Sequence, residues 1–220
     1  MQRVAVIDYG MGNLHSVAKA IEHAAEQASH DQFEITVTAD ASVIESADRV
    51  VLPGVGAMRD CMGEMQRLEI DKIVQHVADA GTPLLGVCVG MQAMLDWSAE
   101  NKGVDCLGLF AGKVQNFADA FKEQNIKQHL KIPHMGWNQV IQTIDHPVWY
   151  DIAQEERFYF VHSYYAEPAS PDVIAGRCEY GINFTAAIAR DNIFATQFHP
   201  EKSQHAGLRI YANFLKWNGK

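Results

Sequence analysis

Apolar residues along this chain alternate between short unbroken runs and longer segments in which they recur every three or four positions. The runs at 4–7, 49–52 and 84–87 are bounded by turn residues and read as strands buried on both faces. Residues 33–38 alternate as a half-buried strand does. Between these, residues 14–27 carry helical periodicity, as do 58–80, where a break is expected near Leu68-Glu69. A shorter helix-like segment, 91–95, follows the third run. Strands alternating with helices imply right-handed βαβ crossovers and a mainly parallel sheet with helices on both faces.

The pattern changes in the second half. Short strand-like pieces dominate at 113–117, 138–144, 157–165, 173–177, 186–189 and 193–197, as in an antiparallel extension of the sheet rather than a second domain. Residues 118–131 are polar, poorly periodic and match no motif, and read as an exposed loop or short helix. Residues 203–217 form an amphipathic helix, with Leu208, Tyr211, Ala212 and Leu215 facing inward.

Composition narrows the class. A chain of 220 residues with 48% hydrophobic residues is expected to fold as one domain, 1–220, with a substantial core. Its net charge of -9, with no basic block, argues against a nucleic-acid or anionic-membrane surface. Cys61, Cys88, Cys106 and Cys178 lie far apart, so neither a disulfide scaffold nor a structural zinc site is expected, and a reducing cytoplasm suits them. The N-terminus lacks the pattern of a signal peptide, and no apolar run is long enough to span a bilayer.

Candidate chemistry centres on Gly86-Val87-Cys88-Val89-Gly90, where a buried strand turns sharply into a helix. Such an elbow lifts a nucleophile clear of the sheet, and flanking glycines remove side chains that would collide there. The helix N-terminus favours a thiolate. A thiolate nucleophile needs a base, and Gln197-Phe198-His199-Pro200-Glu201 supplies one at the end of another strand. Pro200 keeps His199 extended, so His199 and Glu201, two apart, face the same way and the carboxylate can orient the imidazole. Pro53-Gly54-Val55-Gly56 offers backbone N–H groups that, with the N–H of Val89, form an oxyanion hole from Gly54, Val55 and Val89. Neither a dinucleotide nor a P-loop fingerprint is present, and His199, Glu201 and His205 lack metal-ligand spacing; no cofactor and no metal are expected.

An elbow cysteine, a late His-Pro-Glu and a Pro-Gly loop in this order resemble class I (triad) glutamine amidotransferases. Asp8-Tyr9-Gly10-Met11-Gly12-Asn13-Leu14, Pro133-His134-Met135-Gly136-Trp137-Asn138 and Tyr159-Phe160-Val161-His162-Ser163-Tyr164-Tyr165 are similar, more narrowly, to the glutaminase subunits of imidazole glycerol phosphate synthases, from histidine biosynthesis. The resemblance covers essentially the whole chain. It implies that Cys88, His199 and Glu201 hydrolyse L-glutamine through a thioester. It also implies that Gly56, Gln92, Glu100, Ser163 and Tyr164 hold the substrate. The ammonia released would pass to a (β/α)8-barrel cyclase subunit in a heterodimer that makes imidazole glycerol phosphate and aminoimidazole carboxamide ribotide. The Pro53–Gly56 loop is then expected to rest with an oxyanion N–H turned away until that partner binds. Lys202 and Trp137 are candidate interface residues, whereas His134 and His162 are read as structural or interface histidines. The alternatives are the glutaminase subunit of another amidotransferase and a stand-alone γ-glutamyl cysteine hydrolase.

Overall fold

The computed structural model describes residues 1–28, 32–126 and 130–220. The first half follows the expected alternation: β1 (Gln2–Ile7), α1 (Leu14–Ala28), β2 (Phe33–Thr38), a short α2 (Ala41–Glu45), β3 (Arg49–Leu52), α3 (Met58–Arg67), α4 (Ile70–Asp79), β4 (Leu84–Val87) and α5 (Val89–Ala93). The break between α3 and α4 falls where the sequence placed it, because Glu69 adopts a left-handed conformation, φ 58°, that no helix can continue through. The short α2 gave no periodic signal. Its local device is the Asp40 side chain, which accepts the N–H groups of Ser42 and Val43.

The second half supplies β5 (Trp97–Ser98), β6 (Val104–Asp105), β7 (Gly112–Asn116), α6 (Phe117–Glu123), β8 (His134–Gln142), β9 (Glu156–His162), β10 (Tyr164–Pro168), β11 (Ile174–Tyr180), β12 (Ile182–Arg190), β13 (Ile193–Thr196) and α7 (Gln204–Lys216). The piece expected as one strand over 157–165 is two, β9 and β10, separated at Ser163. Within 118–131, residues up to Glu123 continue α6, while 127–129 lie outside the described residues. Leu208 on α7 is only half-buried; Ile210 and Phe214 fill the core instead.

The strands join in one sheet in the order β2-β1-β3-β4-β13-β12-β10-β7-β5-β6, with β11, β8 and β9 branching from β12. β2, β1, β3, β4 and β13 are mutually parallel, and β12 begins the antiparallel extension. β3, β4 and β13 are buried at every position, which explains their unbroken apolar runs. The chain reverses its winding direction between β2 and β3, and right-handed crossovers then send α1 to one face and α2, α3 and α4 to the other. In keeping with that, α1 packs on α7, and α4 packs on α2 and α3. Arg49, buried on β3, locks α7 down by donating to the carbonyls of Phe214 (3.1 Å) and Trp217 (2.9 Å) at the helix's C-terminal end. A cation placed there satisfies carbonyls that the helix itself leaves unpaired.

This topology positions the site. β3, β4 and β13 are neighbours, and their carboxyl ends release the Pro53–Gly56 loop, Cys88 and the His199 turn. Three segments spread over 150 residues of sequence meet because they leave adjacent strands at one edge of one crevice.

Candidate active site

Cys88 sits at φ 55°, ψ -109°, a backbone conformation that a non-glycine residue adopts only under constraint. Its N–H donates to the Thr196 carbonyl on β13 (2.7 Å), which holds the elbow against the strand that carries the base. The flanking glycines are required by close packing. A Cβ on Gly90 would lie 2.0 Å from the Leu52 carbonyl oxygen, and one on Gly86 would lie 2.9 Å from the Ala195 Cβ.

His199 Nδ1 lies 2.8 Å from Glu201 Oε1, and both side chains are almost wholly buried. The carboxylate can only accept, so Nδ1 carries the hydrogen and Nε2 is the nitrogen left for the nucleophile. That nitrogen is buried without a partner at hydrogen-bonding geometry among the described residues. Burial pulls the imidazole toward neutrality, but the Cys88 thiolate and the Glu201 carboxylate outweigh it and raise His199 to about 10. The turn is tethered from β9: the His199 N–H donates to the Tyr159 carbonyl (2.9 Å), and the Tyr159 N–H to Ser203 Oγ (2.9 Å). Ser203 Oγ in turn donates to the His199 carbonyl (2.7 Å).

A cavity of about 550 Å³ opens over Cys88 and His199. It is lined by Val55, Gly56, Val89, Gln92, Glu100, Ser163 and Tyr164, so nearly every residue expected to contact substrate converges there. Glu100 also has a structural task. Its Oε2 accepts the Met58 N–H (2.7 Å) at the start of α3, where Ala57 offers no side-chain cap. His134 and His162 are held neutral by burial, at about 4 and about 3. Trp137 and Lys202 both pack on Tyr159, with ring centroids 6.1 Å apart for the aromatic pair and Lys202 Nζ 5.9 Å from the Tyr159 ring centroid; of the two, Lys202 lines this cavity and Trp137 does not.

The oxyanion side is shut. The Val89 N–H donates to the Gly54 carbonyl (3.3 Å), so the chain's own oxygen takes the donor expected to receive the substrate's. The loop is pinned on both flanks, with Tyr9 Oη donating to the Pro53 carbonyl (2.9 Å) and Cys61 Sγ to the Val55 carbonyl (3.4 Å). Sequence reasoning missed Tyr9, Asn13, Pro133 and Gln197. Asn13 and Pro133 line the cavity, Tyr9 supports the loop from beneath, and Gln197 touches the Cys88 sulfur. The signal for Gln197 was available: it stands two residues before His199 at the end of a strand, and so faces the same way.

A constrained cysteine beside an imidazole that a carboxylate orients supplies the groups that nucleophilic acyl transfer needs. Comparison with known proteins specifies the class. The model of the family "Glutamine amidotransferase class-I" matches residues 5–217, and the chain belongs to that family. Within it, the chain is 56% identical over 220 residues, the whole of both proteins, to the imidazole glycerol phosphate synthase subunit HisH of Pseudomonas putida. It is 53% identical over 219 residues to HisH of Acinetobacter baylyi, covering 99% of this chain and 100% of that one. Among solved structures it resembles a glutamine amidotransferase (TM-score 0.71, 16% identity, 99% of each chain covered). It also resembles the glutaminase domain of Trypanosoma brucei CTPS with bound acivicin (TM-score 0.67, 17% identity, 98% and 92% covered). At those identities the two structures speak for the fold.

The His199–Glu201 contact carries a prediction. Glu201→Gln removes the charge but keeps the shape, and kcat is expected to fall by about 10²–10⁴. Because the carboxylate raises His199, its loss lets the imidazolium deprotonate sooner, so the alkaline limb of the kcat profile moves to lower pH by about one to two units. A pH–rate series on the variant measures both.

Proposed function

We propose that this chain is the glutaminase subunit of an imidazole glycerol phosphate synthase, and that residues 1–220 act as one amidotransferase domain. The observation that carries the reading is the convergence of Cys88 with the buried His199–Glu201 pair in a single cavity, in a chain similar to HisH proteins over its full length. The Cys88 thiolate attacks the side-chain amide carbon of L-glutamine, and charge moves onto the amide oxygen. The His199 imidazolium gives its Nε2 proton to the nitrogen as the C–N bond breaks, which releases ammonia and leaves a γ-glutamyl thioester. Neutral His199 then takes a proton from water as the water attacks; the C–S bond breaks, and glutamate, thiolate and imidazolium remain. Gln92, Glu100, Gly56, Ser163 and Tyr164 are the proposed substrate contacts.

Oxyanion stabilisation by Gly54, Val55 and Val89 needs the Gly54–Val55 peptide to turn over, so that the carbonyl leaves the Val89 N–H and the Val55 N–H enters. Magnitudes favour such a switch. Breaking one backbone hydrogen bond costs only about 0.5–1.5 kcal/mol net, whereas one oxyanion donor is worth about 2.7–4 kcal/mol in the transition state. A partner that contributes little binding energy to the turnover therefore gains a large change in rate. Gly56, at φ +99°, already occupies the region that gives the loop this freedom. The partner proposed is a cyclase with a (β/α)8 barrel, seated over the crevice so that ammonia reaches it before water protonates it. Exposed Met135 and Trp137 on β8, at 62% and 45%, suit that contact.

The test is ammonia release from glutamine. The chain alone is expected to turn over at least about 10²-fold more slowly than with the cyclase and its nucleotide ligand, the cost of one missing oxyanion donor. Equal turnover without the cyclase would sink the loop switch. Rapid cleavage of γ-glutamyl peptides by the chain alone would favour a stand-alone hydrolase.

A further inference from the structure

The polar network beneath the nucleophile has a direction that hydrogen-bond chemistry fixes. The Tyr164 carbonyl can only accept, so the Gln92 atom 2.9 Å from it is the amide nitrogen Nε2. The second hydrogen on that nitrogen reaches Gln197 at 2.9 Å, which makes the facing Gln197 atom the carbonyl Oε1. Gln197 Nε2 is therefore turned the other way, and it lies 3.7 Å from Cys88 Sγ. Both glutamine side chains are buried, and the Gln197 backbone is fixed by its N–H to the Ala186 carbonyl (2.8 Å).

The orientation is reinforced from behind. His162 Nδ1 donates to the same Tyr164 carbonyl (2.7 Å), which leaves His162 Nε2 to accept from His134 Nδ1 (3.0 Å). His134 Nε2 then accepts from Asn138 Nδ2 (3.3 Å). Asn138 Nδ2 also donates to the Glu179 carbonyl (2.8 Å), which cannot donate in return and so fixes the amide at the start of this series as the Tyr164 carbonyl fixes Gln92.

We infer that Gln197 is a further catalytic group: its amide N–H supports the Cys88 thiolate. An amide suits this position. It donates to sulfur yet is not acidic enough to surrender its proton, so it supports the anion without quenching it. It acts on the free enzyme, and again when the C–S bond breaks and the charge returns to sulfur. One strand end thus sets Gln197 and His199, at i and i+2, facing the same way toward the sulfur.

The inference rests on Cys88 being the nucleophile, so its test reads the sulfur directly. Alkylation of Cys88 by iodoacetamide, followed by mass in the full-length chain from acid to alkaline pH, is compared for wild type, Gln197→Met and Gln197→Glu. The other titratable groups around the sulfur remain in all three: His199 and Glu201 after β13, Tyr9 after β1, Cys61 on α3, His162 on β9, and Glu100 and Lys202 at the cavity mouth. Gln197→Met is expected to move the profile to higher pH by about one unit, about tenfold in rate on the acid side, the lower end for a hydrogen bond to a charged group. Gln197→Glu keeps the shape and the Gln92 contact but sets an oxygen against the sulfur, so its shift is larger. With the cyclase bound, kcat for ammonia release falls in both variants, and KM for glutamine holds in Gln197→Glu, which keeps the Gln92 contact.

An unchanged alkylation profile in folded Gln197→Met overturns the inference, even if kcat falls. Should that variant fail to fold, Gln197→Glu decides: a profile at or below the wild-type pH overturns it equally. The ammonia assay of Cys88→Ala tests the glutaminase reading separately, since alkylation reports on the Gln197 contact whatever the substrate.

Discussion

Replacing Cys88 by alanine is expected to abolish glutamine-dependent ammonia release, with kcat lower by about 10⁴–10⁶, and to leave the fold intact. The size follows from what remains. Binding and oxyanion donors alone retain about 10³–10⁴ over water in triad enzymes, but the covalent route is gone. The fold survives because the elbow is held by backbone groups that alanine keeps: the residue 88 N–H to the Thr196 carbonyl and the Gln92 N–H to the residue 88 carbonyl. The side chain lost is small, and alanine carries the same positive-φ strain as cysteine. His199, raised to about 10 in part by the thiolate, moves back down but keeps its Glu201 partner. The informative measurement is made with the cyclase bound, first with glutamine and then with an ammonium salt as nitrogen source. Glutamine-driven product formation should vanish while ammonium-driven formation persists. Loss of both would mean that assembly, not chemistry, had failed.

The parallel half of the fold was legible because β3 and β4 are buried on both faces and end in glycine-bearing turns, while β2 shows the alternation of a half-buried strand. Arg49–Leu52, Leu84–Val87 and Phe33–Thr38 fall where the apolar pattern put them. The second half was blurred for a physical reason. Several of its strands, such as β7, β8 and β9, are half-exposed, and Ser163 divides a run that reads as continuous. α5 begins at Val89, two residues before its apolar periodicity starts, because the elbow at Cys88 rather than any amphipathic face sets its origin.

The site was legible to the same depth. Cys88, His199 and Glu201 each carry a local signature in a turn, so each was readable without the sheet order. Tyr9 carries none, and Gln197 only its spacing from His199. A tyrosine after β1 becomes a support for the Pro53 carbonyl only because β1 lies beside β3, and Gln197 reaches sulfur only because β13 lies beside β4. Residues whose role depends on strand order stay silent in the sequence until the order is known. Glu100 likewise accepts the Met58 N–H at the start of α3, some forty residues earlier in the chain, a contact that no local pattern announces.

Gly90→Ala is expected to be severely destabilising, with a stability loss of about 3–5 kcal/mol. The added Cβ would stand 2.0 Å from the Leu52 carbonyl oxygen and 3.0 Å from its carbon. Both are backbone atoms of a fully buried strand, so no rotamer change relieves the clash. Relief requires α5 to move off β3, which carries the Val89 N–H and Cys88 with it. Any folded fraction should therefore also lose turnover, since displacements of about 1 Å at a reacting centre cost about 10² in rate. Gly63→Ala is the matched control: that glycine is exposed on α3 with nothing within 4 Å of the added Cβ. There alanine should stabilise by about 0.5–1 kcal/mol through a less flexible unfolded chain. Urea midpoints for the two variants should move in opposite directions with similar slopes. A Gly90→Ala midpoint at the wild-type value would show that α5 can slide freely over β3, and the close packing of elbow on strand would then not be what fixes the nucleophile.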